Sequence, residues 1–232
     1  MSKRPARPGR GRRPSGWDPV ASWYDGWVGK DGSEHHRKLA IPAVMKLLDP
    51  KKGEHIIDIG CGQGVLAPYI HKTGAQYTGV DVSDRLLQAA EKRHKGKGRF
   101  FLGDARHLDR IRGLEAGAYD GAVFLLSIQD MDPLEDALQS AAWALKDGGR
   151  VVIVMTHPAF RIPRQSGWGW DENRKLQFRR IDRYLTPLAV PMKSHIGRQS
   201  GKTISFHRPL SAYINGLAAV GLLVDALDEL PT

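Results

Sequence analysis

The hydrophobic and polar positions of this chain alternate between a strand period and a helical period from Trp17 onward. Short apolar runs bounded by turn residues predict buried strands, and apolar positions three or four residues apart predict helices. The predicted strands are residues 55–59, 77–82, 99–102, 119–126, 150–155 and 222–227, and the predicted helices are residues 38–48, 65–73, 84–94, 133–145 and 209–220. This alternation predicts an α/β fold, doubly wound and mostly parallel, with helices on both faces of the sheet.

Residues 157–208 interrupt this alternation. The segment is rich in proline, glycine, arginine and tryptophan, and it holds 11 Lys and Arg residues against three Asp and Glu residues. A long segment of this kind inside a compact domain is usually functional or disordered, and its aromatic content favours partial order. We expect an insertion after the fifth strand that forms a substrate cap, within a single domain of residues 17–232.

The composition shows an excess of basic over acidic residues. The chain has 232 residues, 41% of them hydrophobic, and a formal net charge of +10, which suits one globular domain. Residues 1–16 hold six basic residues and no acidic residue, which predicts a disordered basic tail. Such a tail serves either as a nucleic-acid arm or as a solubilising terminus. No apolar run reaches 18 residues, so we expect no membrane span.

Cysteine occurs once in the chain, at Cys61. One thiol cannot form an internal disulfide or a cysteine-rich zinc site, and we expect no bound metal. The N-terminus also lacks the apolar core of a secretory signal. These features together predict a reducing, cytoplasmic setting.

A glycine-rich loop follows the first predicted strand. It reads Asp58-Ile-Gly60-Cys61-Gly62-Gln-Gly64, with glycines at alternate positions where a buried strand turns into a helix. Glycines there let the backbone approach a ligand closely. A dinucleotide site has the spacing G-x-G-x-x-G instead, and the preceding acid would repel a pyrophosphate. The same carboxylate is suited to a cationic amino group.

Two further acids follow the next two predicted strands. Asp81 ends the second strand and lies 17 residues after Gly64, where a carboxylate can accept hydrogen bonds from both hydroxyls of a ribose. Asp104 follows the third strand and is placed to accept from an exocyclic adenine amine. Each acid alone is equally compatible with a helix cap or a turn. Their joint placement at successive strand ends favours a nucleoside-containing ligand.

The combination resembles the class I S-adenosylmethionine-dependent methyltransferases, which have a Rossmann-like fold, over roughly residues 17–230. The resemblance implies S-adenosyl-L-methionine as cofactor and methyl transfer as reaction. Asp58 would then lie beneath the methionine end, Asp81 would bind the ribose, and Asp104 with Ala105 would flank the adenine. The implied cofactor-binding residues are Asp58, Gly60, Cys61, Gly62, Gly64, Asp81, Val82, Asp104, Ala105, Leu126, Ser127 and Gln129.

Three segments are candidates for the methyl-acceptor side. Residues 17–25 resemble the entry helix of small-molecule methyltransferases related to ubiquinone-biosynthesis enzymes, which implies N-terminal lid helices over residues 17–48. Within them Tyr24 and His36 are candidate catalytic residues. His157, just past the fifth strand, is a candidate general base, with a structural histidine as the equal alternative. The insertion supplies candidate substrate-binding residues, because tryptophan and arginine suit a flat or anionic acceptor: Arg161, Trp168, Trp170, Tyr184, His207 and Arg208.

Three functions remain open at this point. The first is methyl transfer to a small-molecule oxygen or nitrogen acceptor, aromatic or anionic. The second is an RNA- or protein-directed methyltransferase that docks through its basic tail and insertion. Against a nucleic-acid amino acceptor, the segment after the fourth strand reads Ser127-Ile-Gln-Asp130 rather than Asn-Pro-Pro-Tyr. The third is a non-catalytic cofactor-binding protein on the same fold.

The end of the predicted sheet departs from the family that the chain resembles. A seventh, antiparallel strand usually follows the sixth in that family, whereas this sequence stops at Thr232. Either the seventh strand is missing, or the segment around Arg180–Val190 takes its place. A missing strand leaves an open sheet edge that favours dimer contacts, so we expect a monomer or a homodimer.

Overall fold

The computed structural model describes residues 16–160, 166–193 and 202–230. The predicted basic tail lies outside the described residues, except for Gly16, and so does the candidate substrate-binding residue Arg161.

A five-stranded parallel sheet forms the centre of the domain. Its strands are β1 (His55–Ile59), β2 (Gln76–Asp81), β3 (Arg99–Leu102), β4 (Tyr119–Leu125) and β5 (Leu145–Val154). They are ordered β3-β2-β1-β4-β5. The strand order reverses between β1 and β4, and ligands of open α/β sheets bind at the carboxyl ends of the strands beside such a reversal. The predicted doubly wound α/β fold is therefore confirmed.

Six α-helices accompany these strands in the described part of the chain. They are α1 (Ala21–Val28), α2 (Ile41–Leu48), α3 (Ala67–Lys72), α4 (Asp84–Arg93), α5 (Leu134–Ala144) and α6 (Leu210–Ala219). A π-helical turn at His36–Ala40 runs directly into α2. Single 3₁₀ turns lie at Asp18–Val20, Ala105–Arg110 and Ile128–Asp130.

The central strands β1, β2 and β4 are buried on both faces, as their continuous apolar sequences predict. Along β4, Val123 and Leu125 pack in the core layer formed with α2 and α3. Ala122 and Phe124 pack in the opposite layer, formed with α5 and α6. Because side chains alternate along a strand, each central strand contributes to both layers.

The insertion after β5 folds into two antiparallel hairpins. One pairs β6 (Ser166–Asp171) with β7 (Leu176–Ile181), and the other pairs β8 (Leu188–Lys193) with β9 (Lys202–His207). Neither hairpin joins the central sheet. The segment around Arg180–Val190 therefore does not supply the missing sheet strand.

The prediction of a sixth strand over residues 222–227 is wrong. The chain runs there without regular structure, and Leu223 is 89% exposed. The physical reason is that this stretch lies on the surface: Asp228 pairs with Lys46 and Glu229 pairs with His157. An apolar pattern does not form a strand when no neighbouring strand edge pairs with it. Among the described residues, the central sheet ends at β5.

Candidate functional site

The glycine loop turns sharply because its three glycines adopt left-handed backbone angles. The φ values of Gly60, Gly62 and Gly64 are 78°, 55° and 74°. A Cβ on Gly60 would lie 2.6 Å from the Cβ of Ser127. A Cβ on Gly62 would instead point toward the ring of Tyr24, at 3.7 Å. The loop therefore packs against the segment after β4 on one side and opens toward the N-terminal helix on the other.

Asp58 is the buried carboxylate beneath this loop, with 1% of its surface exposed. The hydroxyl of Tyr77 donates to its Oδ2 at 2.7 Å, while Oδ1 has no hydrogen-bond partner in the described part of the chain. Burial raises the pKa of Asp58 to about 7, because the hydrogen bond from Tyr77 offsets only part of the desolvation. A buried carboxylate with a spare oxygen is ready to accept a cationic donor.

Asp81 connects the glycine loop to the start of α4. Its Oδ2 accepts the backbone N–H of Gly62 at 2.8 Å, and its Oδ1 accepts the N–H of Ser83 at 2.8 Å. Burial raises the pKa of Asp81 to about 6. Each carboxylate oxygen retains a second lone pair, so a diol can still bind to this side chain.

Asp104 is engaged by a neighbouring cation. Arg106 Nε lies 2.9 Å from Oδ1 and Nη2 lies 2.6 Å from Oδ2 of Asp104. This guanidinium holds the pKa of Asp104 below its usual range. An adenine amine would therefore have to share the Asp104 carboxylate with Arg106, which the sequence analysis did not anticipate. Val82, next to Asp81, is partly exposed beside this region.

A narrow cavity of about 20 Å³ lies between the loop and the N-terminal helices, with room for roughly one water molecule. Its lining joins the predicted lid to the glycine loop. The lining residues are Tyr24, Val28, His36, Asp58, Gly60, Cys61, Gly62, Gln63, Val65 and Leu125. The structure thus brings the candidate catalytic residues Tyr24 and His36 together with Asp58.

The two titratable lid side chains in this cavity, His36 and Tyr24, are uncharged at neutral pH. Burial lowers the pKa of His36 to about 4, and its Nδ1 lies 2.8 Å from the hydroxyl oxygen of Ser33. Burial, with a smaller effect from Asp81, raises the pKa of the Tyr24 phenol well above its usual range. Any negative charge in the cavity wall therefore comes from Asp58.

The N-terminal helix is fastened to α4 by contacts that the sequence analysis missed. The hydroxyl of Ser83 donates to Asp18 Oδ1 at 2.7 Å. Both guanidinium Nη atoms of Arg93 donate to the carboxylate of Asp25, Nη2 at 2.6 Å. These pairs lie 65 and 68 residues apart in sequence, and no local pattern indicates them.

The segment after β4 lies directly beside the glycine loop. Leu126 adopts a left-handed φ of 55°, which is strained for a side chain of this size. The hydroxyl of Ser127 donates to the carbonyl of Ile59 at 2.6 Å. Gln129 Nε2 donates to the carbonyl of Leu126 at 2.6 Å, whereas its buried Oε1 has no partner among the described residues.

Cys61 lines the same cavity as a buried thiol. Burial raises its pKa well above the usual range, and the neighbouring carboxylates Asp81 and Asp58 add to this effect. A thiol held protonated is a poor nucleophile. Cys61 is thus a wall residue of the cavity.

His157 lies outside the cavity, and both of its ring nitrogens have partners. Nδ1 accepts the backbone N–H of Ala159 at 3.1 Å, and Nε2 lies 2.9 Å from Glu229 Oε1. Its ring packs on Phe160 with centroids 4.8 Å apart. These contacts favour a structural role for His157 over a role as general base.

The candidate residues of the cap separate into two groups. His207 Nε2 lies 2.8 Å from the carbonyl oxygen of Tyr184, and Arg208 reaches back to the segment after β4. Trp168 and Trp170 lie on the β6–β7 hairpin and are 67% and 54% exposed. The structure therefore brings Tyr184, His207 and Arg208 together and leaves the two tryptophans apart from them.

Asp130 is a further residue of this region that the sequence analysis did not single out. It lies in the turn after β4, and the side chain of Ser205 on β9 favours the ionised form of its carboxylate. Burial raises its pKa to about 7. The sequence feature that could have indicated Asp130 is an acidic residue only five positions after the end of a buried strand.

A parallel sheet with a glycine loop and acids at the ends of β1 and β2 defines the class of Rossmann-like, nucleoside-binding α/β domains. Within that class, residues 33–194 match the family model described as "Methyltransferase domain". The chain therefore belongs to this methyltransferase-domain family.

Similar proteins support the same assignment. The chain is 31% identical over 121 residues to the demethylmenaquinone methyltransferase of Tropheryma whipplei (strain Twist), which covers 50% of this chain and 48% of that protein. It is 27% identical over 246 residues to an O-methyltransferase of Pyrenophora dematioidea, with 90% and 88% coverage. The chain thus spans about half the length of the first of these relatives and most of the second.

Solved structures resemble the chain over most of its length. An S-adenosylmethionine-dependent methyltransferase from Mesorhizobium loti superposes with a TM-score of 0.69 at 26% identity, covering 87% of each chain. A second structure, from Listeria monocytogenes, has a TM-score of 0.62 at 22% identity and covers 78% of this chain and 83% of its own. The second similarity establishes only the shared fold.

The described residues also bear on metal binding and on membranes. They contain no group of three or more His, Cys, Asp or Glu side chains arranged to hold a metal ion. Within the same residues, no helix combines the length and apolar character needed to cross a bilayer.

Proposed function

We propose that this protein binds S-adenosyl-L-methionine at the carboxyl ends of β1, β2 and β4 and transfers its methyl group to a small-molecule acceptor. The observation that carries the proposal is the buried Asp58 carboxylate, with one free oxygen beside a glycine loop, in a chain of the methyltransferase-domain family. The Mesorhizobium loti protein, which is similar to this chain over 87% of its length, is an S-adenosylmethionine-dependent methyltransferase.

The residues at the site fit the charges and hydroxyls of this cofactor. Asp58 would hold the cationic amino group through Oδ1, and Asp81 would accept from the ribose hydroxyls. Gly62 has no side chain to fill the space between the loop and Tyr24. Val82 and Ala105 would flank the adenine, with Asp104 shared between its amine and Arg106.

The described side chains would mainly orient the reactants and exclude water. When bound, the cofactor supplies a methyl group activated by a sulfonium charge. Leu126, Ser127 and Gln129 would line the methyl end, since they lie against the glycine loop. Tyr24 and His36 would close the cleft from the lid as uncharged groups, so that water and competing nucleophiles stay out.

The acceptor proposed here is a small molecule rather than a polymer. The O-methyltransferase relative, aligned over 90% of this chain, supports an oxygen acceptor. The cap residues Tyr184, His207 and Arg208 gather next to the segment after β4, where an acceptor must approach the methyl group. A cytoplasmic location and a monomeric or homodimeric state remain predictions.

Calorimetry with S-adenosylhomocysteine, the demethylated cofactor, tests the binding proposal. We expect the wild-type protein to bind it and the Asp81→Asn variant to bind at least about tenfold more weakly, because a ribose contact to a carboxylate is lost. Asp120→Asn is the matched control, since Asp120 accepts from the His55 N–H at the opposite end of the sheet. An absence of binding by the folded wild-type protein would refute the proposal.

Radiolabelled methyl transfer into a size-fractionated cell extract tests the catalytic part. Label in the small-molecule fraction is the expected result. Label confined to RNA or protein would support the polymer-directed alternative, and no label in any fraction would favour the non-catalytic one.

A specific observation also favours the second function, docking on RNA. Trp168 and Trp170 are exposed on the β6–β7 hairpin, and the guanidinium carbon of Arg179 lies 5.2 Å from the ring centre of Trp168. Exposed aromatic rings beside arginines can stack on unpaired bases. Fluorescence titration with a single-stranded RNA at several salt concentrations tests this function. A steep salt dependence in wild type, together with weaker binding by Trp168→Ala at every salt concentration, would support it.

A further inference from the structure

A second polar cluster lies between the cofactor cleft and the cap, and the cofactor roles proposed above do not use it. It consists of Asp130, Ser205 and Arg208, and we call it the 130/208 cluster. Arg208 Nη2 donates to the carbonyl of Met131 at 2.9 Å and to Asp132 Oδ1 at 2.6 Å. Asp130 lies in the Ile128–Asp130 turn, which packs against β9, and the side chain of Ser205 on β9 favours its ionised form. The cluster therefore joins the cap to the segment after β4.

The guanidinium of Arg208 is held in place by its neighbours, but not all of its N–H donors have partners. It is only 9% exposed, and its buried Nη1 has no hydrogen-bond partner in the described residues. Its guanidinium lies 5.3 Å from the ring centre of Phe206, which fixes the plane of the group. The charge of Arg208 is paired with Asp132, but a buried N–H donor without a partner is still costly, so Nη1 indicates a position for an acceptor group.

The 130/208 cluster adjoins the cleft on its methyl-acceptor side. The Met131 side chain packs against Gly60, where an added Cβ would lie 2.9 Å from the Met131 methyl carbon. The Asp130 carboxylate lies close enough to Tyr24 of α1 to raise the pKa of that phenol. Asp130 thus lies between the lid helix and the cap.

We propose that the 130/208 cluster is the acceptor subsite, in which Arg208 binds a carboxylate of the acceptor and Asp130 receives the proton of the hydroxyl that is methylated. This inference rests on the proposed methyltransferase function and narrows its substrate class to hydroxylated carboxylic acids. Because Arg208 Nη2 is already engaged with Met131 and Asp132, the acceptor carboxylate would bind to the unpartnered Nη1 through a charge-assisted hydrogen bond.

The reaction balances with these two residues alone. The acceptor oxygen forms a bond to the methyl carbon, and the carbon–sulfur bond breaks with its electron pair retained by sulfur. The hydroxyl proton passes to the Asp130 carboxylate and is later released to water. No oxidant, reductant or metal is needed.

The surroundings of Asp130 are consistent with this role. Burial raises the phenol pKa of Tyr24 on α1 and of Tyr213 on α6, and the charge of Asp130 adds to both shifts. The side chain of Ser205 on β9 favours the ionised form of Asp130. The pKa of Asp130, raised to about 7 by burial, lets it take and release a proton near neutral pH.

Calorimetry on protein saturated with S-adenosylhomocysteine tests the subsite, with 3,4-dihydroxybenzoate and its uncharged methyl ester as probes. We expect the acid to bind at least about tenfold more tightly than the ester, because only the acid pairs with Arg208. Arg208→Lys should remove most of this preference while leaving the affinity for S-adenosylhomocysteine unchanged. Arg179→Lys, on the other hairpin, is the matched control.

Asp130→Asn should separate binding from proton transfer. We expect it to bind the acid and S-adenosylhomocysteine like wild type, but to transfer methyl to the acid at least about 100-fold more slowly at pH 7. Equal binding of acid and ester by the wild-type protein, or unchanged turnover in Asp130→Asn, would overturn the inference. Failure of the wild-type protein to bind S-adenosylhomocysteine would instead refute the proposed function itself.

Discussion

The hydroxyl of Tyr77 donates to Oδ2 of Asp58 across the paired strands β1 and β2, and both side chains are buried. This hydrogen bond orients the carboxylate and leaves Oδ1 as the oxygen without a partner among the described residues. Because the hydroxyl stabilises the charged form, it also keeps the pKa of Asp58 lower than burial alone would set it. Tyr77 is therefore a positioning residue for the proposed amine contact.

Tyr77→Phe tests that role. We expect the pKa of Asp58 to rise further, so that S-adenosylhomocysteine binds roughly five- to tenfold more weakly at pH 7. The affinity should recover toward wild type at pH 9, where the carboxylate is ionised again. Calorimetry at the two pH values measures this, and an equal loss at both would mean that Tyr77 acts through packing.

Cofactor affinity should fall as the pH drops below 7. Asp58 and Asp81 have pKa values raised to about 7 and about 6, and each must be ionised to serve as an acceptor. Affinity should be highest near pH 8 and decrease on acidification by up to about tenfold per pH unit for each carboxylate, below pH 7 through Asp58 and below pH 6 also through Asp81. Titration of S-adenosylhomocysteine from pH 5.5 to 8.5 gives the profile, and a flat curve would contradict it.

Asp58→Asn should stabilise the protein while abolishing cofactor binding. The pKa of Asp58 lies above its ordinary value of 3.8, so the folded state binds the proton more tightly than the unfolded state. Stability is therefore lost as the pH rises from about 4 to 7, by an amount on the order of 2–4 kcal/mol.

Thermal melts of wild type and Asp58→Asn check the predicted direction of this change in stability. We expect the variant to melt several degrees higher at pH 8 and at nearly the same temperature at pH 4. A variant that melts lower at pH 8 would show that the ionised carboxylate is stabilised by groups beyond Tyr77.

Variants of His157 and Glu229 test whether His157 has a structural role rather than a catalytic one. If their contact serves only to fasten the C-terminal segment, His157→Ala and Glu229→Ala should lower the melting temperature by similar, small amounts. Both variants should keep methyl-transfer rates within about twofold of wild type. A rate that collapses in His157→Ala alone would restore His157 as a general base, for which losses of about 100-fold or more are typical.

The central fold could be predicted from sequence because its strands are short, apolar and bounded by turn residues. The bounds of β1 and β3 agree with the prediction to the residue. The acids Asp58 and Asp81 were predicted because they lie at strand ends, where the topology of a parallel sheet brings them together. Local pattern was sufficient for these features.

The features that were not predicted depend on contacts between distant residues. Nothing near Asp130 in sequence indicates Ser205, 75 positions later, as its partner. The pairing of Asp104 with Arg106 is local, but an acid and a base two residues apart often do not interact. The apolar pattern of residues 222–227 predicted a strand, yet a strand also requires an edge to pair with.

Ser83 contacts both the cofactor cleft and the lid. Its backbone N–H donates to Asp81, and its hydroxyl donates to Asp18, which precedes α1. Any swing of the N-terminal helix away from the cleft must break the second bond on the residue that supports the ribose carboxylate. We therefore expect lid position and cofactor binding to be coupled through Ser83. A ligand that keeps the lid closed should then strengthen cofactor binding by the same factor by which the cofactor favours closure.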